Sequence, residues 1–456
     1  MYQDETIAAI STPPGRGGIG VVRLSGFRSL EIAATIFRPQ SNASLDRPNR
    51  AQFGSLIDAP TGELIDEAVV TYFKAPQSYT GEDTIEISCH GSPVILSRVL
   101  EMITSLGARI AEPGEFTFRA FLNRRIDLAQ AQAVRDIISA QTRYQARVAT
   151  RQLEGALSNR LAPARDSLVE IIVHLESTVE FVEDDISPAT LAALAAKLDK
   201  TIAGLEEVAA SFSFGRYVKE GFDLAIVGRP NVGKSSVFNR LVGSPRAIVT
   251  EIAGTTRDAL YESASIAGVP VRLIDTAGIR ETADPVESIG IVRSRSAIAD
   301  ADISLVVLDA SEPMTDDDVR LLEIVPEDRR ILALNKTDLP RRLAPAALSE
   351  SGEPLSISAL MGEGFDELTK TILGRLSGEA SVERDDLMIT DARQHAALRR
   401  SVEQASEARD LIIEGELEEI ILLKLHGSLS SLGEITGETL TEDILGQIFS
   451  TFCIGK

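Results

Sequence analysis

Apolar and polar positions alternate over Ile19-Gly20-Val21-Val22-Arg23-Leu24, over residues 67–73 and over 84–89, which predicts three strands. Pro93 to Leu106 changes to helical spacing and predicts a helix. Pro13-Pro14-Gly15-Arg16-Gly17-Gly18 is a turn signal. Residues 1–120 are therefore expected to form a mixed α+β domain. From about Leu122 the pattern changes, and residues 126–211 are rich in Ala, Leu, Gln, Glu and Arg, all good helix formers. Leu168, Ile171, Ile172, Leu175, Val179 and Val182 fit one helical face. Ser187-Pro188 has the form of an N-cap followed by proline at the first helical position, so two or three long helices are expected, with 121–217 as the first part of a helical domain. Between Phe222 and about Leu376, strand-like runs at 223–227, 271–274, 303–308 and 331–334 alternate with helical stretches, the signature of a parallel α/β sheet. Helical periodicity returns in 392–413 and 416–425. The expected layout is an α/β module, 218–378, inserted into a helical domain whose second part is 379–456; two separate small helical domains are the rival arrangement.

Composition narrows the class. The 456 residues suit two to four domains at roughly 100–200 residues each. Hydrophobic content of 44% with 25% charged residues argues against global disorder. No apolar run is long enough to span a membrane. Met1-Tyr2-Gln3-Asp4-Glu5 lacks the basic-then-apolar form of a signal peptide, so a cytoplasmic location is expected. Cys89 and Cys453 are too few for a disulfide framework or a four-cysteine zinc site. A net charge of −22 excludes a chain that holds nucleic acid by bulk positive charge. Nucleic-acid contacts would be local or made by a partner.

Gly228-Arg229-Pro230-Asn231-Val232-Gly233-Lys234-Ser235 fits G-x-x-x-x-G-K-S between a strand and a helix beginning near Ser236, the context a phosphate loop requires. Its glycines let backbone N–H groups turn toward a polyphosphate, Lys234 can meet the β and γ oxygens, and Ser235 can ligate Mg²⁺. Asp275-Thr276-Ala277-Gly278 closes a second strand; the carboxylate can hold Mg²⁺ through water and Gly278 can sense the γ-phosphate. Asn335-Lys336-Thr337-Asp338 closes a third strand, and Asp338 can accept from N1–H and the 2-amino group of guanine, a donor pair that adenine lacks. Ser358-Ala359-Leu360 lies where a backbone N–H could meet guanine O6. This ordered set predicts a module that binds GTP. Thr250-Glu251-Ile252-Ala253-Gly254-Thr255-Thr256-Arg257-Asp258 has the small and hydroxyl residues of a loop that orders around γ-phosphate and Mg²⁺, with Thr256 the expected Mg²⁺ ligand.

In Ras-type enzymes a glutamine after the DxxG glycine orients the attacking water. Here that position is Ile279, which cannot do so. Glu287, downstream with Arg280, could hold the water directly or through a second one; the alternative is that both are solvated switch residues. The Asn231 side-chain carbonyl, with the backbone carbonyls of Thr250 and Ile252, could hold a monovalent cation beside the phosphates.

Residues 12–20, Gly81-Glu82-Asp83, Pro113-Gly114-Glu115-Phe116, Ala120-Phe121-Leu122-Asn123, Asp127-Leu128-Ala129-Gln130-Ala131, Ala253-Gly254-Thr255-Thr256-Arg257-Asp258 and Phe452-Cys453-Ile454-Gly455-Lys456 resemble the tRNA-modification GTPase family MnmE, also called TrmE. The resemblance runs from end to end of the chain. It implies an N-terminal α+β domain for folate binding and dimerisation, a discontinuous helical domain and an inserted Ras-like P-loop GTPase domain. It implies a homodimer whose G domains pair when potassium and GTP are bound. It places Asn231, Thr250, Ile252 and Thr255 around potassium, Ser235 and Thr256 on magnesium, and Glu287 as the catalytic glutamate acting through a bridging water, beside Lys234 and Thr256. It places a tetrahydrofolate derivative (5,10-methylene or 5-formyl) on Arg23, Glu86, Arg125 and Lys456, with Arg125 standing where the family pattern has lysine, so that charge is kept while geometry differs. The implied reaction adds a carboxymethylaminomethyl or aminomethyl group to C5 of the wobble uridine (position 34) of certain tRNAs, jointly with a basic FAD-containing partner, MnmG, which would hold most of the tRNA.

Of the remaining residues, Cys453 is expected to be a partly buried thiol rather than a nucleophile, Cys89-His90 structural rather than metal-binding, and Asp316-Asp317-Asp318 a solvated helix start. His174, His395 and His426 fall on helical patterns as surface or core residues. The rival functions are a ribosome-assembly GTPase, disfavoured by acidic helical flanks, and a nucleotide-driven conformational switch without modification activity. A folate-dependent one-carbon enzyme regulated by its GTPase overlaps the main reading.

Overall fold

In the computed structural model, residues 5–40, 44–180, 188–243, 264–274, 298–343, 353–377 and 388–455 are described. They fall into two compact units, one made of residues 1–135 and 433–456 and the other of 136–432.

The first unit is built on a mixed sheet of β1 (Ile7–Ile10), β2 (Gly17–Ser25), β3 (Phe37–Pro39), β4 (Ala51–Ile57), β5 (Leu64–Phe73), β6 (Thr84–Gly91) and β7 (Arg109–Ile110), in the order β3-β4-β5-β6-β2-β1-β7. Neighbours run antiparallel except β1 and β7. Alternation puts Val22, Leu24, Val70, Ile85 and Ile87 in the core, against Ile32, Ala33 and Ile36 of α1 (Ser29–Ile36) and Leu96, Val99 and Ile103 of α2 (Pro93–Ser105). The same alternation sends Arg23 and Glu86 to the opposite face, where the β2–β6 register sets them directly across from each other. Next come α3 (Glu115–Leu122) and α4 (Leu128–Ser139). The C-terminal α14 (Glu442–Phe449) joins this unit through aromatic contacts: the Phe449 ring centroid is 5.0 Å from that of Phe118 and 5.1 Å from that of Phe452.

The second unit has more helix breaks than the pattern predicts. Residues 143–220 form α5 (Arg143–Leu153), α6 (Ala156–Glu180), α7 (Pro188–Ala210) and α8 (Phe212–Glu220). Thr142 and Gln145 make a capping box that starts α5. On α6 the predicted face holds: Leu168, Ile171, Ile172 and Leu175 are buried. The side chains of Val179 and Val182, and Ser187, lie outside the described residues. A six-stranded sheet follows, of β8 (Phe222–Val227), β9 (Ala264–Ile266), β10 (Val269–Ile274), β11 (Ile303–Asp309), β12 (Arg330–Asn335) and β13 (Leu355–Ser356), in the order β13-β12-β11-β8-β10-β9. All pairs are parallel except β9 with β10. Its central strands β8, β11 and β12 are nearly continuous apolar runs because helices cover both faces. These include α9 (Lys234–Val242), α10 (Asp316–Ile324) and α11 (Phe365–Ser377). Then α12 (Ala392–Glu414) packs along α7, and α13 (Glu418–Thr436) runs well past the Leu425 expected as its end.

The chain enters and leaves the sheet module at adjacent points. Lys219, at the end of α8, pairs with Asp136 (2.9 Å) and with Asp391 (3.4 Å), whose carboxylate also caps α12. Gln152 donates to the Met388 carbonyl (2.8 Å), and the Ile389 amide donates to Ser211 (3.1 Å). Among the described residues no helix is long and apolar enough to cross a membrane.

Candidate functional site

The sheet order reverses at β8: β10 lies on one side and β11 on the other. Ligands of open α/β sheets bind outside the carboxyl ends of the strands at such a switch point. The loop leaving β8 there is residues 228–233, and Lys234 opens α9. Two glycines make its path possible. A Cβ on Gly228 would lie 2.4 Å from the Val307 carbonyl oxygen, and Gly233 has φ +94° with Asn335 Nδ2 2.4 Å from where its Cβ would be. Asn231 also adopts a left-handed conformation (φ 65°) and stands exposed on the rim, while Val232 is buried under the loop. Lys234 Nζ donates to the carbonyls of Gly228 (2.9 Å) and Arg229 (2.8 Å), so the ammonium is held inside the loop. Burial lowers its pKa, and an anionic oxygen beside it would reverse that cost. Ser235 and Ser236 follow in the first turn of α9.

The segment that leaves β12 is joined to this loop. Asn335, nearly fully buried at the end of β12, donates Nδ2 to the Val232 carbonyl (2.8 Å) and accepts the Ala359 amide on Oδ1 (3.0 Å). One amide group thus links the phosphate loop, the 335–338 segment and the 358–360 turn. Thr337 donates its hydroxyl to the Ile357 carbonyl (2.9 Å). Ser358 donates to Asp338 Oδ1 (2.6 Å) and accepts the Met361 amide (3.1 Å). Leu360 stands 77% exposed on this turn. Lys336 pairs with Asp309 at the end of β11 (2.6 Å). Burial alone would raise the Asp309 pKa, but Lys336 and Ser311 outweigh it and hold the carboxyl below its ordinary value.

Thr250, Glu251, Ile252, Ala253, Gly254, Thr255, Thr256, Asp275, Thr276, Ala277, Gly278, Glu287 and Lys456 lie outside the described residues. The structure therefore assembles Asn231 to Ser236 with Asn335 to Asp338 and Ser358 to Leu360.

One expectation is corrected here. Asp318, read as part of a solvated helix start, is 1% exposed. It accepts Arg229 Nε (2.9 Å) on one oxygen and both the amide and the hydroxyl of Thr315 on the other (3.0 and 2.8 Å), bracing the phosphate loop against α10. The signal that could have shown this was Thr315 three residues before Asp318, a capping-box spacing that turns the third acid inward.

In the first unit Arg23 donates to Glu86 Oε1 through Nε (3.0 Å) and Nη2 (2.8 Å). Its guanidinium lies 5.4 Å from the Tyr79 ring centroid and 5.6 Å from that of Phe116. The Gly455 carbonyl accepts Ser11 Oγ (3.1 Å) and Arg23 Nη1 (3.4 Å), which docks the C-terminal segment beside the pair. Arg125 is exposed, and among the described residues no hydrogen bond links it to Arg23 or Glu86. Cys453 is exposed rather than partly buried, because Phe452 and Gly455 are the residues that dock. Cys89 is buried, and His90, on the other face of β6, pairs with Asp66 (2.7 Å), so the two diverge.

Comparison with known proteins bears on both units. A family described as the GTP-binding protein TrmE N-terminus matches residues 6–125, and one described as the MnmE helical domain matches 128–453. The tRNA modification GTPase MnmE of Koribacter versatilis is 49% identical over 457 residues, covering 100% of both chains. That of Aquifex aeolicus is 46% identical over 453 residues, covering 99% of this chain and 100% of its own. Among solved structures, the G domain of the T. maritima FeoB iron transporter is 28% identical with a TM-score of 0.25, covering 34% of this chain and 98% of that one. At these identities to full-length relatives, the chain belongs to the tRNA modification GTPase MnmE family and is a GTP hydrolase that works in tRNA modification.

Proposed function

We propose that this GTPase works as a homodimer with an FAD-containing partner, MnmG, to add a carboxymethylaminomethyl or aminomethyl group to C5 of the tRNA wobble uridine, in a potassium-dependent GTP cycle. The observation that most supports the nucleotide half is the Asn335 bridge, which ties the phosphate loop to the base-reading segment through Val232 and Ala359. In this reading Lys234 meets the β and γ oxygens, Asp338 accepts from the guanine edge, and the Leu360 amide, between two amides already bonded, donates to O6. The donor set also suits the implied cations: a serine hydroxyl at Ser235 for magnesium and a side-chain carbonyl at Asn231 for potassium are oxygen ligands fit for hard ions. Bound there, the two cations would offset negative charge that builds on the phosphates. Thr256 would join Ser235 in holding magnesium, and Thr250, Ile252 and Thr255 would join Asn231 in holding potassium. Glu287 positions the attacking water through a second one.

Arg23 and Glu86 give the first unit a cation and a carboxylate beside two aromatic rings, chemistry that suits a heteroaromatic amine with an anionic tail. A tetrahydrofolate derivative held there by Arg23, Glu86, Arg125 and Lys456 would supply the one-carbon unit.

The test is complementation of a strain lacking the endogenous gene, with tRNA nucleosides read by mass spectrometry. The wild-type chain is expected to restore the C5-modified wobble uridine, and Lys234→Ala and Arg23→Ala are each expected to lose it. Modification that persists in Lys234→Ala would overturn the coupling of GTP hydrolysis to the reaction, and persistence in Arg23→Ala would overturn the folate site.

A further inference from the structure

Asp309 lies outside every motif that reads nucleotide, yet both of its oxygens are committed at the nucleotide end of the sheet. Its carboxylate is 3% exposed. Oδ1 accepts the amide (2.9 Å) and hydroxyl (2.6 Å) of Ser311, and Oδ2 takes Lys336 Nζ at 2.6 Å. The register of β11 on β12 sets Asp309 directly beside Asn335, and the Ala310 amide donates to the Asn335 carbonyl (2.9 Å). Lys336 itself holds a left-handed backbone (φ 65°), an uncommon conformation for a lysine. Its ammonium is thus anchored to the sheet. A lysine side chain is otherwise rich in rotamers, and anchoring its end removes most of that freedom before any ligand arrives.

The geometry points to Asp309 as a positioning residue for the guanine site: by anchoring Lys336 Nζ it pre-orders the four-carbon stem as an apolar wall for the purine face. Lys336 stands in the chain between Asn335, which holds the phosphate loop, and Asp338, which reads the base edge. A flat base presented to Asp338 leaves its faces to be covered, and an ordered methylene stem covers one without a desolvation cost. Asp309 touches neither substrate nor the reacting phosphates, so its effect falls on nucleotide affinity and not on the hydrolytic step. This role rests on the reading of residues 335–338 as the guanine segment.

The test measures GDP and GTP affinity, GTP turnover and thermal melting of the nucleotide-free full-length chain. Asp309→Asn keeps the shape and one acceptor but releases the ammonium. Losing a charge-assisted contact of this kind is expected to weaken GDP and GTP binding about tenfold. The loss appears in KM with little change in kcat. Ser311→Ala removes the hydroxyl contact to Oδ1, and is expected to cost less than about twofold if the anchor rather than the turn matters. Lys336→Met keeps the stem without its anchor and reports the same pair should Asp309→Asn fail to fold; it too is expected to lose about tenfold, and adding Asp309→Asn to it should cost little more. Wild-type affinity in Asp309→Asn or Lys336→Met, an equal loss in Ser311→Ala, or additive losses in the double variant would overturn the proposal. Asp338→Asn separates the underlying reading: it should move preference from GDP to XDP, whose base carries a carbonyl in place of the 2-amino group. A variant that keeps GDP overturns the base reading and the positioning role with it. A switch in preference while Asp309→Asn is silent overturns the positioning role alone.

Discussion

Burial, reinforced by the nearby Asp66 charge, lifts the Cys89 thiol to about 11, so it stays protonated at neutral pH and inside the core of the first unit. Cys453 is exposed on the docked C-terminal segment. Native protein at pH 8 is therefore expected to react with a thiol-alkylating reagent at Cys453 alone, with Cys89 labelled only in denaturant. Peptide mapping by mass spectrometry checks this, and fast native labelling of Cys89 would contradict its placement. At the same scale, the residues legible in sequence are those whose chemistry is carried by neighbours in the chain. Gly228, Gly233 and Lys234 act through one loop, and their spacing alone reveals them. The Arg229–Asp318 and Lys336–Asp309 pairs were not legible, because each forms only when distant strands and helices meet; the Thr315 spacing signals only that Asp318 turns inward. A buried acid and a solvated one look alike in a sequence until the cation that neutralises it is brought alongside.

The helix α3 shows the same dependence across a whole element. Glu115 and Arg119 face inward at i and i+4, each 2% exposed, and pair at 3.0 Å. Glu115 also accepts from Arg109 (2.7 Å), while Arg119 donates to Glu82 (3.0 Å) and to the Glu5 carbonyl (2.8 Å). Burial would raise the Glu115 pKa, but Arg109, the Glu112 amide and Arg119 together hold it below the ordinary value. A depressed carboxyl contributes stability above its unfolded pKa of about 4.3 and loses that contribution as pH falls through the lower folded value. Replacing one member leaves the other charge buried, so Glu115→Gln is expected to destabilise the first unit by about 3–5 kcal/mol at pH 7. The gap to wild type should narrow in acid. Urea unfolding at pH 7 and at a pH below the depressed Glu115 value measures both, and a gap that is the same at the two would contradict the network. Long periodicity makes element type legible, as in β8, β11 and α6. Helix breaks carry a weaker signal. The capping box at Thr142 is three residues from Gln145 and was present in the sequence, but a run of good helix formers on both sides masks it.

For the whole molecule, the parallel module was legible because buried strands and amphipathic helices alternate over a long stretch. So was the joining of the helices on either side of it, with α12 packed along α7; the place of the last residues was not. Residues 433–455 gather with the N-terminal unit, and their reason for doing so, Phe449 and Phe452 against α3, is a long-range contact with no local signature. Lys219 joins both ends of the nucleotide module to the helices that flank it, through Asp136 and Asp391. In the proposed function, hydrolysis is completed by a potassium ion at Asn231 and a water held by Glu287. The direct measurement is GTP turnover by the purified chain in potassium chloride and in sodium chloride at equal ionic strength. A stimulation of at least about tenfold that is specific to potassium, and lost in Asn231→Ala and in Glu287→Ala, is predicted. Equal turnover in the two salts would contradict it.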